Sequence, residues 1–88
     1  MRLDQTVELM SSEDYKERFI AEYVQVKIRY LRLERVLKRV SDKTAPDCFT
    51  PTCPIEILEE QLFIMRMYIK LLVKRSNLEG IILPEVEI

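Results

Sequence analysis

The chain has 88 residues, 33% charged and 48% hydrophobic, with a formal net charge of −1, one Gly and no His. This length bounds one small domain, whose core gives little net stability without a staple, a metal or a partner. Near-neutral charge points to neither duplex nucleic acid nor a membrane surface. The composition also removes a glycine-rich phosphate loop, the commonest general base and the commonest metal ligand.

Residues 1–10 (MRLDQTVELM) are weakly patterned and fit a helix extension, a short arm or disorder alike. Asp4 and Glu8 leave no apolar core there, so the segment does not read as a signal peptide. No run approaches the roughly 18 apolar residues that span a bilayer. The expected location is therefore the cytosol, with reduced thiols and no membrane partner.

Ser11 or Ser12 is the expected N-cap of a first helix over about 12–41, with Asp14 completing a capping-box variant. Phe19, Tyr23, Val26, Tyr30, Leu33, Leu37 and Val40 alternate at spacings of four and three, the heptad signature of one long apolar seam. A second patch of Ile20, Val24, Ile28 and Leu31 lies away from that seam. Early charges are mostly acidic (Glu13, Asp14, Glu17, Glu22) and later ones basic (Lys27, Arg29, Arg32, Arg35, Lys38, Arg39), which complements the helix dipole. Tyr15, Tyr23 and Tyr30 read as seam residues whose hydroxyls reach the rim.

Residues 42–53 form the connection, where Pro46 and Pro51 exclude a regular helix and Phe49 is the one large apolar side chain. Cys48 and Cys53 read as buried or capping thiols. A zinc site would need four thiolates gathered across a two-fold axis, so no metal and no cofactor is expected.

A second helix over about 54–79 starts at Pro54, carries Glu56, Glu59 and Glu60 in its first turns, and ends at Gly80 as a left-handed cap with Ile81 or Ile82 folding back. Its apolar arc covers roughly 200°, about twice what a surface helix in a simple hairpin needs. Residues 80–88 are a tail, which Pro84 keeps out of a helix.

A connection of this length returns the second helix antiparallel to the first. Charge agrees, since it sets the basic end of the first helix beside Glu56, Glu59 and Glu60. The expected fold is all-α: an antiparallel two-helix hairpin with short flanking arms, one domain over 1–88, assembled into a homo-oligomeric helix bundle. The oligomer follows from the second apolar faces, which a lone hairpin leaves wet.

Acid pairs Glu59-Glu60 and Glu13-Asp14 sit in first turns, where helix dipoles account for them, so no enzyme is expected. Arg29, Arg32 and Arg39 share one helical face with Arg35 at its edge, and they converge on the loop end, where Thr50 and Thr52 add donors. Guanidinium forks with free donors suit phosphate, and Tyr30 or Phe49 is placed to stack on a base. The competing reading is a solvated face that pairs with the acids of the second helix.

Two segments carry a resemblance. One is Glu17-Arg18-Phe19-x-Ala21-Glu22-Tyr23; the other is Phe49-Thr50-Pro51-Thr52-Cys53-Pro54, followed by Leu58-x-x-Gln61, Met65, Tyr68 and Arg75. Across about residues 14–80 the chain resembles uncharacterised small helical proteins encoded by tailed phages and prophages of gut bacteria. The shared motif is structural and transfers no functional residues. What the resemblance implies is context: small non-enzymatic phage proteins often act in counter-defence. They sequester a nucleotide signal of host immunity or clamp a host defence protein such as a CRISPR effector. The leading expectation is sequestration of a cyclic nucleotide between subunits. A protein inhibitor or adaptor, and a structural phage component, are the alternatives.

Overall fold

A computed structural model describes residues 1–41 and 51–88. Among these the chain is all-helical. A 3-10 turn at Leu3–Gln5 leads into α1 (Thr6–Met10), α2 (Tyr15–Ser41) and α3 (Ile55–Glu79). None of these helices is long and apolar enough to cross a membrane.

Residues 1–10 are ordered and docked on α2. The Gln5 side chain accepts from the Arg2 amide at 2.8 Å and closes the first turn. Thr6 is 1% exposed, yet its hydroxyl is satisfied: it donates to the Leu3 carbonyl at 2.6 Å and accepts from Gln25 of α2 at 3.1 Å. A buried hydroxyl without such partners is costly, so this pair fixes where α1 sits.

The turn after α1 places the helix cap differently from the sequence expectation. Ser11 ends α1, where the Ser11 amide bonds back to the Glu8 carbonyl and the Ser12 amide to the Leu9 carbonyl, and the Ser12 hydroxyl accepts from the Asp14 amide at 3.0 Å. Asp14 itself caps α2, taking the Lys16 amide at 2.9 Å. Its carboxylate is the better acceptor at a positive helix end.

The most deeply buried face of α2 is also not the long seam. Ala21, Val24 and Ile28 are at most 1% exposed, on the side that meets α1, while of the seam Phe19 and Tyr30 are buried and Tyr23, Val26, Leu33, Leu37 and Val40 are half-buried. The face expected to await another subunit is thus covered through its middle by the chain's own first ten residues.

Between α2 and α3, Tyr15 meets Arg75, Glu22 meets Tyr68 and Tyr30 meets Arg66, so partners fall in number along α3 as they rise along α2. Phe19, Leu72 and Ile81 form a core cluster, with Ile20, Tyr23 and Leu83 packed on it. Pro54 precedes the first turn of α3. Gly80 takes φ 68°, and the amides of Gly80 and Ile81 both bond to the Ser76 carbonyl. This left-handed step turns Ile81 into the core and leaves Ile82 outside.

Phe19→Ala should therefore cost about 3–5 kcal/mol in urea unfolding. Gly80→Ala should cost about 1 kcal/mol through backbone strain alone, since an added Cβ meets nothing but the left-handed φ of 68° disfavours it. Equal, small effects of both would contradict this packing.

Candidate functional site

The basic middle of α2 is walled by the two ends of the chain. Arg32 lines a cavity of about 570 Å³ with Arg2, Leu3, Asp4, Val7, Glu87 and Ile88. One turn further, Arg35 and Lys38 line a cavity of about 230 Å³ with Leu31, Glu34 and Ile88. Ile88 is common to both, so the two hollows are neighbours along α2.

Charge in these hollows is partly committed. Arg2 pairs with Asp4 at 3.3 Å, and Lys38 lies 3.8 Å from Glu34. Arg32 and Arg35 enter no ion pair or hydrogen bond through their guanidinium groups among the described residues. Two exposed, uncommitted guanidinium forks one turn apart suit an anionic ligand with more than one oxygen.

Tyr30 ties this region to α3. Arg66 Nε donates to the Tyr30 hydroxyl at 3.0 Å, which donates to Glu34 at 3.2 Å. Lys27 and Arg66 also lie 5.7 and 5.8 Å from the ring centroid. With the residue 9% exposed, a base can stack there only if one of these cations moves aside.

The other sequence-derived site residues are scattered. Arg29, Arg39 and Thr52 are exposed and line neither hollow, and Arg39 is engaged elsewhere. Phe49 and Thr50 lie outside the described residues, as does Cys48; Cys53 is a half-buried free thiol. No metal-binding cluster of acids and thiols forms among the described residues. Sequence reasoning missed Arg2, Asp4, Glu87 and Ile88, because nothing local announces that both chain ends meet α2 at Arg32.

A second polar cluster joins the opposite end of the helices. Arg75 lies 4.8 Å over the Phe19 ring, donates to the Tyr15 hydroxyl and pairs with Glu79 at 3.2 Å. Glu79 and burial raise the Tyr15 pKa, and Arg75 opposes them. Tyr68 donates to the Glu22 carboxylate, and this bond, then burial, raises its pKa above the ordinary 10.0. Burial alone raises Tyr23.

These hydroxyls hold their protons longer in the folded than in the unfolded chain. Their stabilisation is complete below the unfolded value and is lost as pH rises through the folded one. Titration followed at 295 nm should show late ionisation, with stability falling above about pH 10. Glu22→Gln should move the Tyr68 midpoint down toward the ordinary value; an unchanged midpoint would remove the bond from the account.

The family model described as Sequestin matches residues 13–78. No curated protein and no solved structure matches the chain.

Proposed function

The chain belongs to the Sequestin family, and from that premise we propose that it is a non-catalytic binding protein. In this reading it sequesters a nucleotide signal of host immunity, as a phage counter-defence factor in the bacterial cytoplasm. The family description supports a binding role. The observation that carries the site is the pair of uncommitted guanidinium groups, Arg32 and Arg35, on adjoining hollows. They would take phosphate oxygens, and the apolar side chains of Leu3, Val7, Leu31 and Ile88 would meet the rest of the ligand.

The proposed working form is a homo-oligomeric bundle of antiparallel hairpins. Its support is the far face of α3. Ile57, Ile64, Leu71 and Leu78 recur every seventh residue, each more than half exposed, with Phe63 beside them. A seven-residue apolar repeat on a free helix face is the pattern of a helix–helix seam. A two-fold axis between Met67 and Tyr68 would set Ile57 against Leu78, Ile64 against Leu71 and Glu60 against Arg75 of a second copy. Burial of such side chains is worth about 1.5–3 kcal/mol each.

The same face supports a second reading, in which it grips a host defence protein and no small molecule is bound. Native mass spectrometry separates the two. Sequestration predicts an oligomer that gains one nucleotide mass per site from a panel of cyclic nucleotides. Arg32→Glu and Arg35→Glu should each lose that adduct without a lower Tm. An oligomer unchanged by the whole panel would end the nucleotide reading for those ligands; adducts that survive both reversals would displace the site.

A further inference from the structure

The tail is fastened unevenly. Ile81 is buried against Phe19 and Leu72, and Leu83 packs on the same cluster. By Ile88 the chain has reached Leu31 and Arg35, some 12–16 residues along α2, or about 18–24 Å. The seven steps from Ile81 to Ile88 span about 23 Å when extended, so the tail runs nearly straight. Its last residues are held by two exposed backbone bonds. The Glu87 amide donates to the Met1 carbonyl at 3.0 Å, and the Met1 amino group donates to the Glu85 carbonyl at 2.6 Å. Ile88 stays 47% exposed.

This segment brings an acid to the Arg32 hollow. Glu87 and Arg32 line the same cavity, and neither side chain is in an ion pair among the described residues. The other two charged side chains of that wall, Arg2 and Asp4, pair with each other. Arg32 therefore shares its hollow with one side-chain carboxylate that is in no ion pair among the described residues, on a segment whose last residues are held by two backbone hydrogen bonds.

We propose that residues 85–88 are a displaceable strap whose Glu87 carboxylate competes with the ligand's anionic group for Arg32. Small anions must enter against the Glu87 charge. A ligand that also engages Arg35 and Lys38 recovers enough contact to push the strap away. The strap would thus select multidentate anions over abundant simple ones. The proposal rests on the reading of Arg32 as an anion-binding residue, and its test separates the two.

Inorganic pyrophosphate and cyclic di-AMP serve as probes in calorimetric titrations at low salt, with the full chain as wild type, Glu87→Gln, Glu85→Gln, Arg32→Gln and the Glu87→Gln/Arg32→Gln double variant. Removing one charge from a partly screened hollow should tighten pyrophosphate about three- to tenfold in Glu87→Gln. Glu85→Gln, which keeps its backbone bond and lines neither hollow, should change it less than about twofold. The double variant should lose the gain, since the two side chains act on one ligand group. Hydrogen exchange should show the Glu87 amide losing protection when cyclic di-AMP binds wild type. Equal effects of Glu87→Gln and Glu85→Gln, a gain that persists without Arg32, or pyrophosphate binding to neither wild type nor Glu87→Gln would each overturn the strap. Cyclic di-AMP binding that Arg32→Gln weakens but Glu87→Gln leaves unchanged would overturn the strap alone. Binding insensitive to Arg32→Gln would remove the Arg32 site as well.

Discussion

Everything in this fold depends on covering α2 on more than one side. A helix of 27 residues, with apolar residues on two faces, cannot be stabilised by a single partner helix. The chain meets this with three of its own segments: α3 on one side, α1 on the Ala21–Val24–Ile28 face, and the tail near Ile20 and Leu31. The polar chain from Gln25 through Thr6 to Leu3 makes the α1 docking specific rather than merely apolar, because a buried hydroxyl tolerates only a register that satisfies it.

That arrangement also shapes the site. Once both chain ends lie on α2, the basic stretch is no longer an open helix face but the floor of two hollows with walls from residues 2–7 and 87–88. The cross-helix links to α3 run through tyrosines: Tyr15 to Arg75, Tyr68 to Glu22, Tyr30 to Arg66. The ion pairs Lys38–Glu34 and Arg75–Glu79 stay within their own helices. Tyrosine hydroxyls thus engage Arg66, Arg75 and Glu22 between the helices, while Arg32 and Arg35 border the hollows beside Ile88.

Legibility of the site in the sequence was uneven. The arginine row was visible because helical spacing puts Arg29, Arg32, Arg35 and Arg39 near one another on any helix. Which of them border a cavity was not visible, because that depends on where distant segments stop. Arg32 and Arg35 lie beside Ile88; Arg29 and Thr52 do not. Tyr30 looked available for stacking, yet Arg66 and Lys27 crowd its ring from positions that no local pattern brings to it.

The sequence by itself determined the features with local causes. These include a long uninterrupted helix ending near Ser41, a helix entered at Pro54, a left-handed stop at Gly80 that returns Ile81 to the core, and the sum of charge along each helix. Such features follow from spacing, ring constraint and dipole within a few residues. The tertiary structure alone decided that residues 1–10 dock on α2 beside Gln25, and that Glu87 borders the same hollow as Arg32. Each of these is a choice between alternatives that local periodicity leaves nearly equal in energy. Burial and hydrogen-bond satisfaction between segments far apart in the chain separate them.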